Sequence, residues 1–99
     1  MDAHSFYVRG TMLKAQGPTA VLMPDFQVLK AEMDSAIKAV TAENGRAKKA
    51  GRPLFCAPAK PEMSADQLLA EFRRIPTERR KKISVRQAFR EIAIRRFPC

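Results

Sequence analysis

Three side chains in this 99-residue sequence could act as a nucleophile, a general base or a soft metal ligand: His4, Cys56 and Cys99. A catalytic triad requires a nucleophile, a base and an orienting group within mutual reach, and His4 has no such partner beside it in the sequence. A zinc site requires three or four ligands, and these three residues lack the usual ligand spacing. No glycine-rich phosphate-binding loop is present either. We therefore expect no catalytic residue, no metal and no cofactor, in a protein that is not an enzyme.

The two cysteines favour a different role, a disulfide bond. Cys56 directly follows Phe55 in a proline-containing segment, and Cys99 follows Phe97 and Pro98. A bond between the cysteines would explain both placements, and closing a loop of roughly 43 residues would contribute about 4 kcal/mol. Two unrelated thiols are the alternative. We favour the bond, with the two phenylalanines buried beside the sulfur atoms, and such a bond indicates an oxidising compartment.

The first residues of the sequence do not by themselves identify the cellular compartment. Residues 1–4 show neither the basic region nor the apolar stretch of a secretory signal. The chain is then either cytoplasmic or the mature form of an exported protein. The expected disulfide favours export, so we predict a periplasmic or secreted protein, with the cytoplasm as the alternative. No apolar run approaches the roughly 20 residues of a transmembrane helix, and we expect no membrane insertion.

The hydrophobic pattern predicts one all-α domain over residues 1–99, with about four main helices and one disulfide. The strongest period predicts a helix from about 25 to about 49, with Gly51 as its stop signal. The other predicted helices lie within residues 2–16, 64–75 and 84–97. Their N-cap signals are Asp2 or Ser5, Ser64 with Gln67 in a capping box, and Ser84.

Short helical turns are expected over 18–23 and 77–81, and a loop over 52–63. The helix beyond Val40 is polar and rich in alanine, so we expect it to fray or to project into solvent. The predicted core consists of Phe26, Leu29, Met33, Leu68, Phe72, Phe89 and Ile92.

The net charge of +9 is unevenly distributed along the chain. Residues 51–99 carry twelve basic and five acidic side chains, against seven and five in residues 1–50. The excess is densest between Arg73 and Arg96. Such a segment is typical of a surface for nucleic acid, for an anionic surface or for an acidic protein, and equally of a solvated helical face without a specific partner.

A helix-turn-helix is one specific alternative for this segment. Helices 64–75 and 84–97 would form it, although the connection of about eight residues is longer than the usual turn of three or four. Arg86, Arg90 and Arg95 would then enter a groove, and the phosphates would be contacted by Arg79, Arg80, Lys81 and Lys82.

The C-terminal half also resembles a known family. Leu54-Phe55-Cys56-Ala57-Pro58, a helix through Leu68-Leu69 and a last helix ending in Arg96-Phe97-Pro98-Cys99 resemble the Rap/Tai family. Its members are small secreted immunity proteins that neutralise type VI secretion amidases. The resemblance covers residues 51–99, and the final Phe-Pro-Cys with the matching loop cysteine carries most of it. It implies a helical, disulfide-bonded and non-catalytic protein that occludes the active-site cleft of a secreted cell-wall amidase toxin.

Because immunity proteins act through exposed loops, the resemblance also implies where a partner would bind. We expect the contacts in residues 52–61 and in the basic segment, at Thr77, Glu78, Arg79, Arg80, Lys81, Lys82, Arg86 and Arg90. A basic surface would suit an acidic face of the toxin. A small nucleic-acid-binding module is the alternative function, and a second copy of the chain is a further candidate partner.

Overall fold

The fold is described by a computed structural model for residues 1–58 and 63–99. These residues form five α-helices and one 3₁₀ helix, and no β-strand occurs among them. In chain order the elements are α1 (Ala3–Ala15), the 3₁₀ helix (Gly17–Leu22), α2 (Pro24–Lys49), α3 (Ala65–Arg74), α4 (Thr77–Arg80) and α5 (Val85–Arg96). The all-α prediction is confirmed, and the two predicted short turns are the 3₁₀ helix and α4. Part of the predicted loop 52–63, residues 59–62, lies outside the described residues.

Polar side chains determine where three of the helices begin. The Asp2 carboxylate accepts a hydrogen bond of 2.8 Å from the Ser5 backbone N–H, one of the donors that the first turn of α1 leaves free. This bond lowers the pKa of Asp2 below its ordinary value of 3.8. Reciprocal Ser–Gln capping boxes begin α3 and α5, with Ser64 and Ser84 as the N-cap residues. The predicted caps are therefore confirmed.

Gly51 ends α2 in the left-handed conformation, with φ of +81°, which side chains with a Cβ rarely adopt. Its N–H donates to the Lys48 carbonyl at 3.0 Å, and the Arg52 N–H donates to the Ala47 carbonyl at 2.9 Å. These are the two hydrogen bonds of a Schellman motif, so the predicted stop at Gly51 is confirmed.

Helix α1 lies at the centre of the fold and packs against each of the other α-helices. Lys14 near its end pairs with Asp66 at the start of α3, with 3.0 Å between Nζ and Oδ1. Phe6 near its start packs on Phe72 near the end of α3, with ring centroids 5.0 Å apart. The two helices are therefore antiparallel, and α1 supplies one side of the core.

Four of the seven predicted core residues are buried: Leu29, Met33, Phe72 and Ile92. The other three, Phe26, Leu68 and Phe89, are half-buried and pack against that core. Among the buried residues that the predicted core list omitted are Ala3, Phe6 and Leu13 of α1, Ile75 at the end of α3, Ile83 of the α4–α5 connection, and Val85 and Ala88 of α5. The hydrophobic stretches around these residues are shorter than that of α2, so their helical period is a weaker signal in the sequence.

The end of α2 is held against the loop that follows it. Asn44 accepts hydrogen bonds from the backbone N–H groups of Leu54 (2.8 Å) and Phe55 (3.2 Å) and donates to the Phe55 carbonyl (3.0 Å). Val40 and Phe55 belong to a second buried cluster, which also includes Ala93 of α5. Helix α2 therefore does not fray beyond Val40, because Asn44 on this stretch binds the loop. Most side chains of the stretch are exposed, in line with the alternative expectation that it projects into solvent.

The predicted disulfide joins Cys56 to Cys99, with 4.8 Å between their Cα atoms. The Cys56 N–H also donates to the Phe97 carbonyl at 2.8 Å, so a backbone hydrogen bond accompanies the covalent one. Phe55 is buried and Phe97 is half-buried beside the bridge, while both cysteines are exposed. Together these contacts attach the end of α5 to the loop after α2.

Replacing Phe72 with Ala should lower the free energy of unfolding by about 3–5 kcal/mol, because this side chain is fully buried and its removal leaves a cavity. Urea titration of the oxidised protein measures the loss. Ile37→Ala is the control, since Ile37 is 41% exposed, and it should cost less than about 1 kcal/mol. A similarly small loss for Phe72→Ala would contradict the core described above.

Reduction of the disulfide should lower the free energy of unfolding by about 4 kcal/mol, because the bond closes a loop of 43 residues. Urea titration with and without dithiothreitol measures the effect. The double variant Cys56→Ser/Cys99→Ser should match the reduced protein and should not respond to the reductant. Equal stability of the oxidised and reduced protein would show that the bond does not constrain the unfolded chain.

Candidate protein-binding surface

The single turn of α4 is fixed by the side chain of its last residue, Arg80, which is 6% exposed. Its Nη1 donates to the carbonyl oxygens of Ile75 (2.6 Å), Phe72 (3.2 Å) and Arg73 (3.2 Å), and its Nη2 donates to Thr77 Oγ1 (3.0 Å). The last carbonyls of a helix lack partners within the helix and carry partial negative charge. Arg80 thus caps the end of α3 and holds α4 directly against it.

The other side of the Arg80 guanidinium faces α1. It lies over the Tyr7 ring, with Cζ 4.4 Å from the centroid, and its Nε donates to His4 Nδ1 at 3.4 Å. Arg80 was predicted as an exposed partner contact, and that prediction is wrong because its guanidinium is used inside the protein. His4, the only histidine, is therefore part of the structure that positions α4.

The neighbours of Arg80 point outward. Thr77, Glu78, Arg79, Lys81 and Lys82 are all exposed, as predicted for a contact surface. Lys81 Nζ lies 3.6 Å from Glu78 Oε1 in an exposed pair, which contributes little to stability. The turn therefore presents charged side chains to solvent from a backbone that Arg80 holds in place.

Arg79 and Arg90, two predicted partner residues from different helices, border one shallow pocket of about 270 Å³. Arg79 Nη2 is 2.7 Å from Glu91 Oε1, and Arg90 Nε is 2.8 Å from Glu43 Oε1. Among the described residues, no hydrogen bond is made by the buried Glu91 Oε2. The pocket combines guanidinium and carboxylate groups, and the nearby Arg86 is exposed.

Helix α5 is joined to three neighbouring helices by Arg–Glu pairs. The Arg79–Glu91 pair joins it to α4, and the Arg90–Glu43 pair joins it to α2. The third pair joins it to α3, where Arg95 Nη2 lies 2.6 Å from Oε2 of Glu71. Arg74 and Arg96 each lie 3.7 Å from the other oxygen of this carboxylate, which is 10% exposed. Two of the three arginines of the helix-turn-helix hypothesis, Arg90 and Arg95, are thus engaged within the protein. The third, Arg86, is exposed.

A second group of basic residues lies along the second half of α2 and just after it, and only Arg52 among them belonged to a predicted contact segment. Lys38, Arg46, Lys48, Lys49 and Arg52 are exposed, and none forms an ion pair with a residue in the described part of the chain. The sequence signal for this group is the pair Lys48-Lys49 near the end of the helix, where basic side chains also complement the negative end of the helix dipole. Of the second predicted contact segment, 52–61, residues 59–61 lie outside the described part.

Comparison with protein families, with curated proteins and with solved structures found no match for this chain. Within residues 1–58 and 63–99, no three His, Cys, Asp or Glu side chains are grouped as a metal site would require. In the same residues, no helix is long and apolar enough to cross a membrane.

Replacing Arg80 with Ala should cost about 3–5 kcal/mol of unfolding free energy, because it leaves buried carbonyl groups of α3 without their donors and removes the contact with Tyr7. Arg80→Lys should recover less than half of the loss, since an ammonium group cannot reproduce the planar arrangement of donors. Lys82→Ala, on the same turn and exposed, is the control and should change stability by less than about 0.5 kcal/mol. Equal effects of Arg80→Ala and Lys82→Ala, measured by urea titration, would remove Arg80 from this structural role.

Proposed function

We propose that this protein is a non-catalytic inhibitor of the immunity type, which acts in the periplasm or outside the cell and occludes the cleft of a secreted cell-wall amidase toxin. The resemblance of residues 51–99 to the Rap/Tai family supports the class of partner. The disulfide supports an oxidising compartment, where such bonds form and persist.

The observation that carries the proposal is the rigid, exposed and basic turn of α4. Buried Arg80 fixes its backbone to α3 and α1, while Arg79, Lys81 and Lys82 project outward. A contact segment that is already ordered loses less conformational entropy on binding than a flexible loop. The turn is therefore suited to enter a concave site on a partner.

Charge defines the kind of surface that this turn would fit. The chain carries +9 overall, and the turn adds exposed cations next to the pocket between Arg79 and Arg90. Complementary charge on a partner accelerates association and selects against partners of like charge. The proposed partner surface is the acidic rim of an amidase cleft, with the turn at its centre.

Reversing two charges on the turn, in Lys81→Glu/Lys82→Glu, should weaken inhibition by tenfold or more, mainly through slower association. The matched control is Lys48→Glu/Lys49→Glu, which changes the net charge equally at the end of α2. Both variants should remain folded, because all four lysines are exposed. Lys48→Glu/Lys49→Glu should cost about 1 kcal/mol, since it places negative charge at the negative end of the α2 dipole. Hydrolysis of peptidoglycan by purified type VI amidases, titrated with each variant, measures the effect.

Two results would contradict the proposal. If the oxidised protein inhibits none of a panel of such amidases at micromolar concentration, the proposed partner class is wrong. If the two double variants lose inhibition equally, the turn is not the contact and only the total charge matters. Loss confined to the α2 variant, together with sequence preference for a nucleic acid at physiological salt, would favour the alternative of a nucleic-acid-binding module.

A further inference from the structure

An apolar groove of about 540 Å³ lies where α1 forms the floor between α2 and α3. Phe6 and Leu13 contribute the floor, Leu29 and Met33 contribute the α2 wall, and Leu68 lies on the α3 wall. The 3₁₀ helix closes one end through Gly17 and Ala20. None of these residues takes part in the surface proposed above for a protein partner.

Gly10 allows α1 to approach α3 closely beside the groove. A Cβ at this position would lie 2.9 Å from Leu69 Cδ2, so the Leu69 side chain packs where a larger residue at position 10 would clash. Both residues line the groove. The volume is within the range of small-molecule sites, which are mostly apolar with a few polar groups placed at defined points.

The polar groups of the groove are confined to its edge. Lys14 and Lys30 line it with their aliphatic parts, and their ammonium groups reach Asp66 and Asp34 at 3.0 Å each. The lysines are 57% and 58% exposed, so these ion pairs are weak and exchange readily for another anion. Asp34 also lines the groove, so an anionic head would replace Asp34 and Asp66 as the partner of the two ammonium groups. An apolar interior with exchangeable cations at its edge suits a ligand with an apolar chain and an anionic head.

We propose that this groove binds a single-chain anionic amphiphile, a long-chain fatty-acid carboxylate. The acyl chain lies along α1 between Met33 and Leu68, and the carboxylate lies at the edge between Lys14 and Lys30. The net charge of +9 favours an anionic head over a cationic one by long-range attraction. Burial of methylene groups against the apolar walls supplies most of the affinity.

A series of saturated fatty acids from octanoate to hexadecanoate, each below its micelle concentration, tests the acyl-chain site in the intact oxidised protein. Isothermal titration calorimetry should show one site per chain, and affinity should rise about tenfold for every two methylenes until the groove is full. Ala65→Trp, which places an indole in the groove from α3, should weaken dodecanoate binding at least tenfold. Ala70→Trp is the control, because Ala70 is exposed on the same helix outside the groove, and it should have no effect.

The head-group site is tested separately with two ligands of equal chain length. Lys14→Gln/Lys30→Gln should weaken dodecanoate binding about tenfold, and should leave the binding of uncharged dodecyl maltoside unchanged. Lys38→Gln/Lys48→Gln removes the same charge from α2 outside the groove and should affect neither ligand by more than twofold. Equal losses in both double variants would attribute the effect to net charge and would overturn the edge site.

Other outcomes would overturn the proposal. Binding that is absent below the micelle concentration, or that Ala65→Trp does not weaken, would show that the groove takes no acyl chain. Sedimentation velocity that shows a dimer lost in Ala65→Trp would instead assign the groove to a second copy of the chain. Because the groove variants do not alter the α4 turn, amidase inhibition should persist in Ala65→Trp, so the two proposals fail independently.

Discussion

The hydrogen bonds of Arg80 are the constraint on which the C-terminal half of this fold depends. One buried guanidinium satisfies the terminal carbonyls of α3, contacts Thr77 in α4 and stacks on Tyr7 of α1. Its charge has no carboxylate partner among the described residues, and the carbonyl dipoles with the aromatic face replace the water that it loses. The five donors and planar shape of arginine make this possible, which explains why a basic residue lies inside a protein with so many basic residues outside.

The disulfide is a second fixed point, at the far end of α5. Near the start of this helix, the Val85 N–H donates to the Met1 carbonyl, and the Ala3 N–H donates to the Ile83 carbonyl. At its end, the Cys56–Cys99 bond and Asn44 hold the loop after α2 in place. With both ends attached, α5 and the α4 turn form a fixed surface, which a small core alone supplies poorly.

The exposed large hydrophobic side chains are concentrated in one part of the chain. In the described part of the chain, every exposed large hydrophobic side chain belongs to residues 1–37, including Leu22 at 81% exposure. The exposed lysines at 48 and 49 and the basic α4 turn belong to the rest of the chain. The apolar groove and the basic turn are therefore separate features that share no residue.

The sequence by itself determined the helices, because their signals are local: a period of three to four residues, the serine caps at 64 and 84, and glycine at 51. It also identified the cysteine pair, since a disulfide bond explains the positions of both Cys56 and Cys99. Only the tertiary structure decided the roles of the arginines. Arg90 meets a glutamate 47 residues away and Arg95 one 24 residues away, so no local pattern distinguishes them from the exposed Arg86. The groove is equally non-local, because its floor and walls come from three helices whose packing no single segment encodes.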